Sequence, residues 1–314
     1  MAPLVALTQP ADRVHRQGIL HPGTLPPASD PHMVTAYTAP LRDLGYVEGR
    51  NLRVERRYAD GRRDRLSDLA RELLALKVDV VLAVGPVAAR VAKEVTTTTP
   101  IVFLLNTDPV AAGLVQSLAR PGGNVTGVLI SPEGSLAGKR LELLRDSVPR
   151  ATRIALLAPD EQGVAWPQLQ ETRAAAVSMG LDLVVVEARG GDYVRAFAAI
   201  GALHAQALVV AANAGFLRDR KTIIALAAKY RLPATYEWPR QVKDGGLMSY
   251  GADDIETYKQ VTSYIDRLFK GAKPMDMPIW QPSLLYLVLN LRTAKALGLA
   301  IPQSLLLRAD EVIE

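Results

Sequence analysis

The sequence predicts an α/β protein with two doubly wound parallel-sheet lobes joined by a three-crossing hinge. Short apolar runs, such as residues 101–105, alternate with segments whose apolar residues recur at helical spacing. This alternation restarts after the turn at residues 120–124, so the second half of the chain repeats the architecture of the first. From residue 246 onward strand and helix patterns no longer alternate regularly, which indicates that the chain returns to the first lobe and then to the second.

The first half contains four strand-then-helix units. The predicted strands lie at residues 18–20, 52–57, 79–84 and 101–105, and the helices at 30–44, around Leu66 to Leu76, at 87–95 and at 110–119. Pro109 suits a first helical position, and Asp108 before it can cap the last of these helices. Four such units in a row predict a parallel sheet with right-handed crossovers.

The second half repeats this pattern and then departs from it. We expect helices at 135–147, 166–179, 193–200 and 218–230, with strands at 154–157, 182–187, 207–211 and 233–236. A glycine-bounded strand at 246–251 and an amphipathic helix at 254–270 follow, then a proline-rich extended segment at 274–282. A segment at 284–291 leads to a last helix at 292–297.

These elements divide the chain into two lobes and a tail. Residues 16–128 plus 246–272 are expected to form the first lobe, and residues 129–245 plus 273–314 the second. Residues 1–15 begin with the apolar stretch 2–7, which is like the end of a secretory signal without its basic start. Two explanations stay open at this point: a start codon assigned too late, or the disordered tail of a cytoplasmic protein.

Composition excludes several classes of function. The chain has 314 residues, 49% of them apolar, and no cysteine, so disulfides and thiolate chemistry are absent. The formal charge of +5 is spread along the chain. One arginine cluster at residues 56–65 lacks interleaved aromatic residues, so we expect no nucleic-acid partner. No apolar run approaches the roughly 18 residues of a membrane span, so we expect membrane contact only through a partner protein.

The motifs of enzymes and of cofactor sites fail on inspection. Residues 134–140 resemble a phosphate-binding loop, but one residue is missing between the glycines and Arg140 replaces the required Ser or Thr. The four histidines have no metal-ligand spacing, and no Gly-x-Gly-x-x-Gly follows the first strand. We therefore expect no catalytic residues, no metal and no cofactor.

What remains is a set of loops that follow strand ends and would face each other across a cleft. In open α/β sheets such loops bind ligands. They are rich in Tyr, Trp and Pro and poor in charge, which suits a small solute with an apolar or aromatic body. The candidate binding residues are Pro22, Gly23, Tyr58, Gly85, Pro86, Asn106, Thr107 and Asp108 in the first lobe, Pro159, Asp160, Asn213, Tyr236 and Trp238 in the second, and Ser249 and Tyr250 at the hinge.

Five segments of the chain resemble a known family. They are Leu-Gly-Tyr-Val-Glu-Gly-Arg-Asn at 44–51, Asp-Pro-Val at 108–110 with Gly-Leu-Val at 113–115, Leu-Ala-Arg-Pro-Gly-Gly-Asn-Val-Thr-Gly at 118–127, Gly-Lys-Arg-Leu-Glu-Leu-Leu at 138–144 and Asn-Leu-Arg-Thr-Ala-Lys-Ala-Leu-Gly-Leu at 290–299. In order and spacing they resemble the ABC-transporter substrate-binding proteins of the tryptophan/tyrosine-uptake type. The resemblance runs from about residue 16 to residue 314.

The resemblance implies a type I periplasmic-binding-protein fold that delivers a small solute to a membrane permease and its ATPase. It also implies a periplasmic location, with residues 9–11 just after a signal cleavage point. The expected solute is amino-acid-like or aromatic and lies between Tyr236, Tyr250 and Trp238. Its carboxylate would meet the helix after Gly85, and its ammonium would meet Asp108.

The competing hypothesis is a ligand-sensing or regulatory domain, or an enzyme, on the same fold. An enzyme would need a titratable pair in the cleft, and the candidates are Asp108, Asp160 and Glu237. These residues belong to opposite lobes of the predicted fold.

Overall fold

The computed structural model describes residues 13–25, 31–131, 136–159 and 166–314, with the backbone alone for residues 31–34 and 166. Two expectations therefore lie outside the described residues: the nature of the tail up to residue 12, and the position of Asp160. The described residues form two sheets, one in each lobe.

The first lobe contains a five-stranded parallel sheet with the order β2-β1-β3-β4-β5. Its strands are β1 (His15–His21), β2 (Leu52–Tyr58), β3 (Val80–Val84), β4 (Ile101–Leu105) and β5 (Val125–Leu129). Alternate residues of the central strands enter different cores. Val81 and Phe103 pack on one face with the Leu66 helix, while Leu82 and Val102 pack on the other. A sheet covered on both faces explains why these strands read as unbroken apolar runs.

Four helices cover this sheet. They are α1 (Pro31–Asp43), α2 (Leu66–Ala75) and α3 (Gly85–Val95), which follow the first three strands, and a later helix, residues 254–269, from the far end of the chain. The later helix packs against α1 and against β3, β4 and β5. The first lobe is therefore completed by residues that lie more than a hundred positions downstream.

The second lobe contains a seven-stranded sheet with the order β12-β11-β10-β9-β8-β6-β7. Its strands are β6 (Arg153–Pro159), β7 (Asp182–Ala188), β8 (Ala207–Val210), β9 (Ala234–Tyr236), β10 (Met248–Gly251), β11 (Tyr286–Asn290) and β12 (Glu311–Ile313). Pairing is parallel except between β10 and β11. Its helices are α4 (Ala137–Ser147), α5 (Trp166–Ser178), α6 (Tyr193–Ala202), α7 (Ala214–Arg218), α8 (Arg220–Lys229), α9 (Pro239–Lys243), α11 (Leu291–Leu297) and α12 (Gln303–Leu306). The helix that covers the first lobe from the far end of the chain is α10 (Asp254–Phe269).

The chain crosses between the lobes three times: after β5, between β10 and α10, and shortly before β11. The second and third crossings differ from the expected lobe boundaries. Residues 246–251 were expected in the first lobe, but Met248 pairs with Thr235 of the second sheet. Residues 273–281 were expected in the second lobe, but Met277 is fully buried in a first-lobe core and its carbonyl accepts the Thr126 hydroxyl at 2.7 Å.

A second difference concerns residues 110–119, which form hydrogen-bonded turns rather than the expected helix. Gly113 has a positive φ of 69°, which ends the first turn, and its carbonyl accepts a hydrogen bond from the Lys93 ammonium at 2.7 Å. Asp108 still caps that turn, since its carboxylate accepts the Val110 N–H at 2.8 Å. The capping signal was therefore right, and the expected helix at 110–119 was wrong.

A buried ion pair lies beside the hinge. The Arg140 guanidinium is 3.9 Å from the Glu237 carboxylate, and both side chains are at most 1% exposed. Arg140 also donates to the carbonyl of Tyr250 at 3.3 Å, one residue before β10 ends. Burial raises the pKa of Glu237 to about 7, although the nearby Arg140 cation opposes the shift. Arg140 near the start of α4 thus contacts both the residue that follows β9 and the strand β10, which leads into the second crossing.

We predict that Gly251→Ala destabilises the protein, whereas Gly138→Ala does not. A Cβ at Gly251 would lie 2.3 Å from the carbonyl oxygen of Glu237, so the two strands would have to separate. Overpacking of this kind costs about 1–3 kcal/mol. A Cβ at Gly138 in α4 meets Ala175 at an ordinary 3.4 Å, and alanine favours a helix by up to about 1 kcal/mol. Urea unfolding of both variants checks this, and equal midpoints would contradict it.

We also predict a pH dependence of stability that Glu237→Gln removes. The pKa of Glu237 is about 7 in the folded protein against an ordinary 4.5, so between these values the folded state binds more protons than the unfolded state. The free energy of unfolding must therefore fall as the pH rises through this window and level off above it. Each pKa unit corresponds to about 1.4 kcal/mol.

Chemical unfolding of both proteins from pH 5 to pH 8 measures this contribution as the difference between their curves. Other titrating groups cancel in that difference. Parallel curves for the parent and Glu237→Gln would show that Glu237 ionises normally.

Candidate functional site

The two lobes face each other across a cleft that contains two adjoining cavities. We call the first the aromatic cavity; its volume is about 160 Å³. The second, which we call the helix cavity because α3 begins there, measures about 120 Å³. The two share walls from both lobes: His21, Val84, Leu104, Ile130, Ala214, Arg218 and Trp238. They are therefore two parts of one interlobe site.

The aromatic cavity has mainly apolar walls. First-lobe strand ends, first-lobe helices and, from the second lobe, α7 and Trp238 all contribute to it. Its large apolar residues are Ile19, Leu25, Tyr37, Tyr58, Leu82, Val84, Leu104, Ile130, Leu217, Trp238 and Tyr258. The Tyr58 ring lies 5.5 Å from the His21 ring, and the Tyr37 ring lies 6.2 Å from that of Tyr258. Burial raises the pKa of both Tyr37 and Tyr258, so these phenols stay neutral. Such a wall suits a flat apolar body.

Every charged side chain that lines the aromatic cavity has an oppositely charged partner. Arg56 donates to both carboxylate oxygens of Glu48 at 2.7 and 2.8 Å. Arg218 donates to both oxygens of Asp219 at 2.7 and 2.5 Å. The third is Asp254, whose carboxylate accepts from Arg240 at 2.9 Å. The site is thus electrically balanced, which favours a neutral or zwitterionic solute over one with a net charge.

His21 at the end of β1 stays neutral at physiological pH. Burial lowers its pKa to about 4, and the nearby Arg218 cation adds to the shift. Its Nδ1 accepts the Gly23 N–H at 2.9 Å, so the neutral ring carries its proton on Nε2. His21 therefore adds a hydrogen-bond donor to the cleft but no charge.

The helix cavity lies at the N-terminus of α3. Gly85 has a positive φ of 80°, which lets the chain turn directly from β3 into the helix, and Pro86 occupies the first turn. Val84 at the N-cap position has no polar side chain with which to cap this terminus. Its first N–H groups and the positive end of the helix dipole therefore face the cleft and suit an anionic group.

The lobes also touch each other in this region. The Asn106 side-chain amide donates to the carbonyl of Ala212 at 2.9 Å across the cleft. Gln168 holds the same residue from within the second lobe, since its amide contacts the Ala212 carbonyl at 2.9 Å and N–H at 2.7 Å. Asn213 next to it caps α7 through the N–H of Gly215 at 2.8 Å. The two lobes are therefore in direct contact beside the helix cavity.

The structure brings nine of the fifteen candidate residues into the walls of these cavities. They are Pro22, Gly23, Tyr58, Gly85, Pro86, Asn106, Pro159, Asn213 and Trp238. Asp160 lies outside the described residues. Thr107, Asp108, Tyr236, Ser249 and Tyr250 line neither cavity.

Four of the five residues that fall outside, all except Thr107, have structural positions. Asp108 is exposed and caps its turn, so it does not offer a carboxylate to the cleft. Tyr236 is 1% exposed and packs in the second-lobe core, where burial raises its pKa. Ser249 is fully buried in β10, and Tyr250 packs partly buried against the same core. Of the three residues expected to enclose the solute, Trp238 lines both cavities, whereas Tyr236 and Tyr250 line neither.

Sequence reasoning missed the charged and helical residues of the site. His21 directly follows a predicted strand, so the expectation that ligand-binding residues lie at the carboxyl ends of strands could have identified it. Arg218 ends a short helix and Asp254 begins a long one, while Tyr37 and Tyr258 lie on helices that pack together. Nothing in the sequence distinguishes these residues from ordinary helix-surface residues.

A larger groove of about 590 Å³ lies in the second lobe, between α5, α6 and β7. All of the described residues that line it belong to that lobe, and its rim carries the exposed arginines 173, 189 and 195. Since the first lobe contributes nothing to it, closure of the lobes would not enclose a solute there. The interlobe cleft is the better candidate.

Two further properties bear on the class of site. In the part of the chain that the structure describes, no three His, Asp or Glu side chains converge as a metal site would require. Among the described helices, none has the length and apolar character needed to cross a bilayer.

Comparison with known proteins identifies relatives of this chain. A family model described as "ABC transporter substrate binding protein" matches residues 29–313. A tyrosine-binding protein of Clostridioides difficile is 33% identical over 117 residues, which is 37% of this chain and only 33% of that relative's length.

Solved structures extend the comparison over the whole fold. An ABC domain from Streptococcus pneumonia in complex with L-Trp has a TM-score of 0.79 at 25% identity, over 95% of this chain and 99% of that one. A conserved domain protein from Vibrio cholerae has a TM-score of 0.81 at 24% identity, over 96% of this chain and 100% of that one. These structures have the two-lobed fold described above. Because the family model matches nearly the whole length of this chain, the chain belongs to the ABC transporter substrate-binding protein family.

Proposed function

We propose that this protein captures a small solute with an aromatic body in the interlobe cleft and delivers it to an ABC importer. The observation that carries the proposal is the aromatic cavity, whose walls come from both lobes and include Tyr58 and Trp238. A solute that fills it contacts both lobes at once. Binding then favours the closed state by the solute's differential affinity for it.

The relatives support an aromatic amino acid as the solute. One similar structure contains L-Trp, and one partly matching relative is named a tyrosine-binding protein. The balanced charges of the cleft agree with a zwitterion, because neither a net cation nor a net anion would find an uncompensated partner there. Asp254, which lines the aromatic cavity and is 4% exposed, replaces Asp108 as the proposed partner of the ammonium group.

The family also supports the partners and the location that we propose. A membrane permease and its ATPase would receive the solute, and the permease would contact the closed lobes. The protein would then work outside the cytoplasm. These assignments follow from the role of ABC substrate-binding proteins and make capture of the solute the first property to test.

We predict that L-tryptophan, L-tyrosine or L-phenylalanine stabilises the purified protein against heat, whereas L-leucine and L-glutamate have little effect. A ligand at a hundred times its Kd stabilises the folded state by about 2.7 kcal/mol, which shifts the melting temperature measurably. Leucine lacks a flat ring for the aromatic walls, and glutamate brings a net charge. Differential scanning fluorimetry followed by calorimetric titration measures both the shift and the Kd.

We further predict that Tyr58→Ala weakens binding of the aromatic amino acid about 10-fold or more. The substitution removes one aromatic wall of the cavity without touching a buried core, since Tyr58 is half-buried at the end of an edge strand. Tyr230→Ala is the matched control, because Tyr230 is also half-buried but lies in the second lobe away from both cavities. An equal loss in the two variants, or no aromatic ligand at all, would count against capture in this cleft.

A further inference from the structure

Arg218 reaches across the cleft from the second lobe to the first. Its Nη1 donates to the Thr24 carbonyl oxygen at 3.4 Å and to the Thr24 hydroxyl. The same nitrogen lies close to Gly23, since a Cβ built there would be 3.6 Å from it. The guanidinium thus sits over the loop that follows β1, inside the walls of both cavities.

The guanidinium is held in this orientation from behind. Its Nε and Nη2 donate to the two oxygens of Asp219 in a bidentate pair. Asp219 also accepts the Tyr193 hydroxyl at 2.6 Å. Tyr193 is 8% exposed on α6 and fixed among second-lobe core residues. A relay from Tyr193 through Asp219 therefore fixes two of the three guanidinium nitrogens and leaves the third pointing at the cleft.

Arg56, the other arginine of the aromatic cavity, is arranged differently. Both of its terminal nitrogens donate to Glu48, and Nη1 also contacts its own strand at the Val54 carbonyl. These bonds lie within the first lobe. Among the described residues, Arg56 thus bonds only to its own lobe, and a solute group bound there would not join the two lobes.

We propose that Arg218 is the residue that binds the carboxylate of the solute, and that Asp219 and Tyr193 are positioning residues that aim its guanidinium. This assignment rests on the proposed capture of an aromatic amino acid. The carboxylate takes the place of Thr24 as acceptor for Nη1, and the Thr24 hydroxyl then donates to the carboxylate. One solute group thereby joins the second lobe, through Arg218, to the first, through Thr24.

In this arrangement the carboxylate adds a bond of its own to each lobe. A solute with the same ring but without that charge fills the aromatic cavity and still leaves Arg218 on Thr24. The residues that bind the carboxylate thus differ from those that bind the ring. Variants of the relay should change the preference for a carboxylate without changing the affinity for the ring.

The test compares L-tryptophan with L-tryptophanamide, and L-tyrosine with L-tyrosinamide, by calorimetric titration. Each amide keeps the ring and the ammonium and loses only the negative charge. We expect the parent protein to prefer the acid at least 100-fold. Arg218→Lys keeps the charge but cannot form the bidentate pair with Asp219, and should reduce that preference at least 10-fold.

Tyr193→Phe is the sharper variant, because it removes a single hydroxyl and changes no charge. We expect it to weaken binding of the acid about 3- to 10-fold, in line with one lost hydrogen bond, and to leave the amide unchanged. Tyr230→Phe is the matched control, since it removes a hydroxyl from the same lobe and should change neither affinity. Thermal denaturation of each variant without solute confirms that it is folded.

The outcomes separate this assignment from the proposed function. If Arg218→Lys and Tyr193→Phe weaken acid and amide alike, or change neither, the relay does not position a carboxylate-binding group and the assignment is overturned while capture stands. If no acid or amide binds the parent protein, the proposed capture of an aromatic amino acid is overturned and the assignment falls with it.

Discussion

The coverage of both sheets by helices is the constraint on which the rest of this structure depends. Where both faces of a sheet are buried, its strands must be apolar, and polar groups can appear only where the strands end. In the first lobe β3 and β4 run toward Gly85 and Asn106, and in the second β8 runs toward Asn213. Since both sheets present these ends to one cleft, the polar chemistry of two separate lobes meets there.

Compensation of charge shapes that cleft as strongly as its walls do. The pairs Arg56–Glu48, Arg218–Asp219 and Asp254–Arg240 each keep one member in the cavity wall and the other behind it. Holding each charge from behind fixes its direction before a solute arrives, which lowers the entropy that binding must overcome. It also keeps the cleft walls neutral, so the lobes can approach each other without repulsion between like charges.

Much of the fold could be predicted from the sequence because apolar runs and helical spacing are local properties. The same is true of site residues that follow a strand directly, such as Gly85 and Asn213. Helix residues such as Arg218 and Asp254 could not be found, because reaching the cleft depends on how helices pack in three dimensions. Tyr236 was expected in the site for the same reason as Tyr58, because it ends a strand. Its ring instead packs against Gly246 in the second-lobe core, which the sequence does not indicate. The lobe assignment of residues 273–281 failed because an extended, proline-rich segment has no period that indicates its partner sheet.

Because α10 lies far downstream of the sheet that it covers, the first lobe cannot complete its fold early in synthesis. One face of the first sheet, with Val102 and Leu104, is buried against Val261 and Ile265 of this helix. Until residues 254–269 leave the ribosome, that face is only partly covered, by α1, although all five strands of the sheet have already been made. Domains normally fold as units from the N-terminal end, but here neither lobe can finish before most of the chain exists. A nascent chain of this design stays incompletely folded for long, and this is the state in which a polypeptide can still be threaded through a narrow pore.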